Sequence, residues 1–215
     1  MNAQVNVPAF GWFQIIRLGL IQACLGAVVV VTTSTLNRIM VVELALPALL
    51  PGFLVAWHYA VQMVRPRMGF GADKGRRSTP WMMGGMVVLG VGGMMAAVST
   101  IWMATEPVWG IALAVLAFIV IGLGVGASGT ALLVLMSKRI APQRLAAAAT
   151  VTWLMMIVGF IVTSVIAGRM LEPFSLTRLV ETTVGIGLVA LLVTVLAVYG
   201  IERDIAEVPA APAQA

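Results

Sequence analysis

Six stretches of apolar residues, separated by short polar segments, dominate the pattern of the chain. A helix needs about 20 apolar residues to cross the hydrocarbon core of a bilayer. The candidate spans run from about Ile15 to Leu36, Ala48 to Val64, Trp81 to Ala104, Trp109 to Met136, Leu145 to Gly168 and Thr183 to Ile201. The second span is short and has Pro51 near its start. The pattern predicts an all-α membrane protein with six transmembrane helices.

The basic residues between these spans are distributed unequally and so predict the orientation. If the N-terminus is cytoplasmic, the inner side holds Arg17, Arg65, Arg67, Lys74, Arg76, Arg77, Lys138, Arg139, Arg144 and Arg203, and the outer side holds Arg38, Arg169 and Arg178. Cytoplasmic loops of membrane proteins carry the excess of Lys and Arg. We therefore expect both termini to be cytoplasmic.

The two ends of the chain differ from the apolar middle. Residues 1–14 read as a cytoplasmic N-terminus with an interfacial aromatic anchor, Phe10, Trp12 and Phe13. Residues 15–201 form the predicted six-helix bundle. Residues 202–215 are charged and then rich in Ala and Pro, which is typical of a cytoplasmic linker or tail. We expect further chain to follow such a linker.

Composition excludes several classes of protein. Of the 215 residues, 61% are hydrophobic and only 10% are charged, too few polar residues to cover a soluble domain. The net charge of +5 comes from basic residues flanking the spans, so it indicates a membrane surface and not nucleic acid. The single cysteine and single histidine exclude a disulfide framework and clusters of either residue.

The acidic residues do not form a catalytic pattern. They are Glu43, Asp73, Glu106, Glu172, Glu181, Glu202, Asp204 and Glu207, all at span ends or in loops. A prenyl-diphosphate transferase would need an aspartate-rich motif to hold magnesium and diphosphate. There is also no nucleophile paired with a base. We therefore predict that the chain is not an enzyme.

The segment between the second and third spans reads RPRMGFGADKGRRS, residues 65–78. Its residues Gly69, Asp73, Lys74, Gly75, Arg76 and Arg77 resemble the signature loop of the major facilitator superfamily, one residue shorter than usual. The glycines predict a tight turn, and Asp73 is suited to cap a helix start. An ordinary positive-inside loop is the alternative. The resemblance implies half of a major-facilitator fold, built as two three-helix inverted repeats.

A second resemblance covers roughly residues 17–201. The string TLNRIMVVEL, Thr35 to Leu44, resembles the PucC/LhaA family, the bacteriochlorophyll-delivery members of that superfamily, as do the stretches His58 to Trp81 and Ala114 to Arg139. Members usually have twelve spans in two halves. We therefore expect this chain to be the N-terminal half, with a second six-helix half as its partner. A six-span homodimer is the alternative.

The resemblance also implies a function. It implies an assembly factor in the inner, intracytoplasmic membrane of phototrophic bacteria, which handles bacteriochlorophyll or a precursor and meets light-harvesting or reaction-centre polypeptides. Two alternatives stay open: a conventional small-molecule secondary transporter, and a structural subunit bound to a photosynthetic core complex.

His58 is the candidate pigment ligand. It lies in the middle of the second span between Trp57 and Tyr59, with Gln62 one turn later. The magnesium of bacteriochlorophyll accepts one axial nitrogen, and a neutral imidazole supplies it. Trp57, Tyr59 and Trp153 are candidates to line the ring. The alternative is a histidine that only forms a hydrogen bond within the helix bundle.

A candidate polar site lies at the outer end of the first span. Its members are Asn37, Arg38 and Glu43. Charges near the membrane are costly and often functional. Arg38 and Glu43 are five residues apart, so they could meet if the helix ends between them. The alternative is a snorkelling arginine and a glutamate in a loop.

Overall fold

The computed structural model describes residues 10–74 and 77–202, and every regular element in these ranges is helical. The elements are α1 (Trp12–Val30), a π-helical turn (Val31–Thr35), α2 (Leu36–Val42), α3 (Leu49–Val61), a 3-10 turn (Gln62–Val64), α4 (Arg65–Lys74), α5 (Thr79–Thr105), α6 (Pro107–Arg139), α7 (Pro142–Met170) and α8 (Leu176–Val198). The prediction of an all-α membrane protein is confirmed.

Five helical segments in the described part of the chain are long and apolar enough to cross a membrane. They are Trp12–Val42, Thr79–Thr105, Pro107–Arg139, Pro142–Met170 and Leu176–Val198. The second predicted span corresponds to α3, which has 13 residues and is about 20 Å long. It continues through the 3-10 turn into the polar helix α4, so the apolar part of this helical rod is shorter than a typical span.

The helix contacts follow the pattern of an inverted repeat. α1 packs against α7 and α8, while α6 packs against α3 and α5. Let α1, α3 and α5 form one unit and α6, α7 and α8 the other, so that α1 is equivalent to α6, α3 to α7 and α5 to α8. Exchanging equivalent helices then turns the α1–α7 contact into the α6–α3 contact. The same exchange turns the α1–α8 contact into the α6–α5 contact. This is the arrangement expected of two three-helix repeats.

Glycines bring the helices of the second unit close to those of the first. A Cβ atom at Gly124 of α6 would stand 2.5 Å from the backbone nitrogen of Leu89 in α5. A Cβ atom at Gly122 would stand 2.9 Å from the carbonyl oxygen of His58 in α3. Both distances are too short for a side chain, so glycine sets how closely α5 and α3 approach α6.

The predicted loop at residues 65–78 is mostly helix. Gly69 and Gly71 lie inside α4, and a Cβ atom at Gly71 would stand 2.9 Å from the ring of Trp81. The prediction of a tight turn at these glycines is therefore wrong, because α4 continues the rod along α6 and α5. Of the other signature positions, Asp73 and Lys74 lie in the last turn of α4, and Gly75 and Arg76 fall outside the described residues.

The N-terminal cap of α5 is Ser78, four residues past Lys74, where α4 ends. The two first backbone N–H groups there are bound by a different carboxylate, Glu202, with N···O distances of 2.8 Å to Ser78 and 2.9 Å to Thr79. The side chain of Asp73 lies outside the described residues, so the prediction that it caps a helix start stays a prediction. Arg77, the last signature residue, is exposed just before this cap.

The packed part of the chain extends beyond both predicted ends of the bundle. α1 begins at Trp12, where the Gln14 side chain accepts a hydrogen bond from the Gly11 backbone at 3.1 Å. Phe10 of the expected aromatic anchor is buried, and the guanidinium carbon of Arg139 lies 4.7 Å from its ring centroid. At the other border, the buried Glu202 packs with the bundle. Residues 1–9 and 203–215 lie outside the described part.

Candidate functional site

The helix α3 turns three successive side chains in different directions. Consecutive residues of a helix are about 100° apart, so they cannot share one face. His58 is 1% exposed and points toward the bundle, whereas Trp57 is 37% exposed and Tyr59 is 59% exposed. The structure therefore brings the three predicted residues onto one helix but divides them between an inner and an outer face.

The imidazole of His58 has one engaged nitrogen and one free nitrogen. Its Nε2 atom lies 2.7 Å from Nε2 of Gln62, one helical turn later. Which of the two groups donates depends on the histidine tautomer and on the orientation of the Gln62 amide. The Nδ1 atom is buried and has no hydrogen-bond partner. Nδ1 is thus the ring atom left for a ligand.

The outer face of α3 is aromatic. The rings of Phe53 and Trp57 stack at a centroid distance of 6.2 Å with an angle of 15° between their planes. The ring of Tyr59 meets His58 edge to face at 5.0 Å. Phe53 is a member that the sequence analysis missed. Its spacing of four residues from Trp57 is the signal that could have found it.

Trp153 lies on a different side of the molecule. It is 56% exposed on α7, which packs mainly against α1, whereas α3 packs mainly against α6. The structure therefore does not bring Trp153 together with Trp57, His58 and Tyr59. The two tryptophans lie on equivalent helices of the two repeats, because exchanging the repeats places α3 where α7 stands.

The residues on α3 fit a flat pigment in part. Phe53 and Trp57 offer an exposed apolar surface of the kind that a macrocycle stacks on. The unpartnered Nδ1 of His58 is chemically suited to a magnesium ion. His58 is only 1% exposed, however, so the imidazole would have to turn outward to reach a pigment on the outer face.

The outer polar residues do not form a joint site within the described part of the chain. Asn37 donates from Nδ2 to the carbonyl oxygen of Thr33 at 2.7 Å, inside the π-helical turn that interrupts the first span. α2 ends at Val42, between Arg38 and Glu43 as considered above. Both charged side chains are nevertheless exposed, and the described residues show no hydrogen bond or ion pair between them.

The chain is similar to known proteins over most of its length. The family model described as PUCC protein matches residues 35–215. The chain is 52% identical over 195 residues to the "Bacteriochlorophyll synthase 44.5 kDa chain" of Rhodobacter capsulatus, covering 90% of this chain and 45% of that one. It is 26% identical over 206 residues to "Protein PucC" of Rhodobacter capsulatus, covering 89% of this chain and 45% of that one.

A third relative has a similar extent. "Protein PucC" of Cereibacter sphaeroides is 25% identical over 201 residues, with 88% of this chain and 44% of that one covered. The chain thus spans less than half the length of the curated relatives it matches. No solved structure matches it. The family match covers most of the chain and includes α3 and the signature segment, and on this evidence the chain is a multi-pass membrane protein that belongs to the PUCC protein family.

Proposed function

We propose that this chain is the first six-helix half of an assembly factor that handles bacteriochlorophyll or a precursor and passes it to light-harvesting or reaction-centre polypeptides. The observation that carries the proposal is the 52% identity to a relative whose name refers to bacteriochlorophyll synthesis, together with the match to the PUCC family. The bundle would lie in the inner membrane of a phototrophic bacterium, with a second six-helix half beside it.

In this proposal the basic end of the bundle faces the cytoplasm. The basic end is where α5 begins and α6 ends, and Arg77, Lys138 and Arg139 lie there. Loops with such an excess of positive charge are retained on the cytoplasmic side. The aromatic face of α3, formed by Phe53 and Trp57, then lies within the bilayer, where a membrane-dissolved pigment can reach it.

The pigment would rest on the aromatic face of α3. Phe53 and Trp57 would stack on the macrocycle, and Tyr59 would border it. His58 would supply Nδ1 to the magnesium after its ring turns away from Gln62. Trp153 would meet pigment only at a second position, on the equivalent helix α7. These assignments rest on exposure, ring stacking and the unpartnered imidazole nitrogen.

We propose a carrier and not a synthase, although the word "synthase" stands in the name of one relative. A magnesium–diphosphate site for prenyl transfer would need converging carboxylates. Among the side chains that the structure describes, in residues 10–71 and 77–202, no three His, Cys, Asp or Glu lie close enough to hold a metal ion. The buried carboxylate of Glu202 is used otherwise, because it binds the backbone at the start of α5.

Affinity purification of the tagged full-length protein from a phototrophic bacterium tests the proposal. We expect bacteriochlorophyll or a precursor to co-purify in substoichiometric amounts, together with antenna polypeptides that are still being assembled. A pigment-free protein that moves a small solute into vesicles would show a conventional transporter instead. Stoichiometric retention in finished complexes would show a structural subunit. Conversion of a pigment precursor by the purified protein would show an enzyme.

A further inference from the structure

A membrane-facing cleft of about 410 Å³ opens between α4, α5 and α6 at the basic end of the bundle. Its walls are almost entirely apolar and consist of Met68, Pro80, Trp81, Gly84, Gly85, Val88, Leu123 and Ala127. From Pro80 to Val88 the cleft follows α5 for about 12 Å toward the middle of the bilayer. These dimensions suit part of one acyl chain.

Three arginines lie close in the chain to wall residues at the basic end of this cleft. Arg67 precedes the wall residue Met68, and Arg77 stands three residues before Pro80; both side chains are exposed. The Cγ atom of Arg65 lies 3.5 Å from the place that a Cβ atom at Gly126 would occupy. The Nε atom of Arg65 is buried without a hydrogen-bond partner. Among the described side chains, which leave out those of residues 72–76, none offers a hydrogen bond or ion pair to any of the three guanidinium groups.

We propose that this cleft is a binding site for an anionic glycerophospholipid of the leaflet at the basic end. One acyl chain would lie along Gly84 and Val88, and the phosphate would bind Arg67 and Arg77, with Arg65 beside them. Trp81, which is 38% exposed, would lie at the level of the glycerol backbone, where tryptophan side chains are enriched. A neutral macrocycle in the same cleft would leave the three arginines without an anion.

The proposed lipid site lies beside the contacts that hold α4 in place. α4 rests on α6 and on Trp81 through Gly69 and Gly71, and the cleft lies beside that contact. A lipid bound there would join α4 to α5 across the segment that connects them. The helical signature segment would thereby acquire a ligand that the membrane supplies, independent of any pigment bound to α3.

Two substitutions of glycine in α5 provide a matched test. A Cβ atom at Gly84 or at Gly90 meets no other atom within 4 Å, so both positions accept a larger residue. Gly84 lines the proposed lipid cleft, whereas Gly90 lines a separate groove between α5 and α8. Gly84→Leu should fill the lipid cleft, and Gly90→Leu should leave it open.

The measurement is native mass spectrometry of the full chain released from nanodiscs that contain phosphatidylcholine and phosphatidylglycerol. We expect the wild type and Gly90→Leu to retain phosphatidylglycerol in preference to phosphatidylcholine, and Gly84→Leu to lose the retained lipid. Arg67→Gln and Arg77→Gln should each weaken phosphatidylglycerol retention about fivefold, the usual contribution of one basic residue at an anionic surface.

Equal retention of phosphatidylglycerol by Gly84→Leu and the wild type would overturn the proposal, as would equal retention of the two lipids by the wild type. Arg169→Gln, at the opposite end of the bundle, is the charge control and should change nothing. Circular dichroism confirms folding of each variant. If Gly84→Leu does not fold, the two arginine variants decide the question, because their side chains are exposed and their loss leaves the core intact.

Discussion

The carboxylate of Glu202 accepts a hydrogen bond from the backbone nitrogen of Ser78 at 2.8 Å, across a separation of 124 residues in the chain. Its second oxygen binds the backbone nitrogen of Thr79 at 2.9 Å. The side chain is only 5% exposed. A negative charge at a helix N-terminus satisfies unpaired N–H groups and meets the positive end of the helix dipole. Glu202 thereby fastens the segment after α8 to the start of α5.

Loss of this cap should destabilise the bundle. Glu202→Ala removes both acceptors and should lower the free energy of unfolding by about 1–2 kcal/mol, as loss of a helix cap does. Glu202→Gln keeps one acceptor oxygen and should cost less. Thermal unfolding in detergent, followed by circular dichroism, provides the comparison. Glu181→Ala, which removes an exposed carboxylate of α8, is the matched control; an equal loss in that variant would show that the cap has no special role.

The contact between α5 and α6 should tolerate no side chain at Gly124. A methyl group there would meet the backbone of Leu89 at 2.5 Å, and backbone cannot rotate away. Gly124→Ala should destabilise the protein by about 1–3 kcal/mol, the usual cost of overpacking. Gly90→Ala on α5 meets open space and should be neutral or slightly stabilising, because alanine favours a helix. Equal melting temperatures of the two variants would contradict this packing.

Substitutions of His58 should separate a ligand from a packing residue. His58→Phe keeps apolar bulk but removes both nitrogens, so bound pigment should be lost or its absorption shifted to shorter wavelength while folding is retained. His58→Ala should show the same loss of pigment. Absorption spectra of the purified variants provide the measurement. Unchanged pigment content and spectra in both variants would remove His58 from the proposed site.

The release of His58 from Gln62 can be tested separately. Gln62→Leu removes the group that lies 2.7 Å from Nε2 of His58, so the imidazole should turn outward more easily. If turning limits binding, pigment retention should rise.

Trp57→Leu should lower pigment retention because it removes half of the stacked pair on α3. Trp153→Leu on α7 is the aromatic control and should have a smaller effect; an equal effect would indicate a pigment position on α7 as well.

Thiol labelling tests the orientation of the bundle. In a Cys24→Ala background, Arg77→Cys places an exposed thiol at the basic end and Glu106→Cys places one at the opposite end. A membrane-impermeant maleimide should label position 106 in intact spheroplasts and position 77 only after the membrane is permeabilised. Labelling of position 77 in intact spheroplasts would reverse the proposed topology.

The sequence by itself determined the class of the protein, most span positions and the family resemblance. Long apolar segments must become helices in a bilayer, since no water is available there for exposed backbone groups. Small residues such as Gly122 and Gly126 permit close packing of membrane helices, and a Cβ atom at Gly126 would lie 3.0 Å from the sulfur of Met68. These properties depend on local composition, which a sequence states directly.

Only the tertiary structure decided how the segments between the spans are used. Residues 65–74 have the glycines and charges of a loop, but contacts with α6 and Trp81 hold them as a helix. Glu202 reads as the start of a tail, but it caps a helix that begins 123 residues earlier. Trp57 and Trp153 are both predicted to line one pigment ring, but they occupy separate helices with different neighbours. Each of these outcomes depends on contacts between residues distant in the chain, and the pattern of apolar and polar positions does not encode which helices become neighbours.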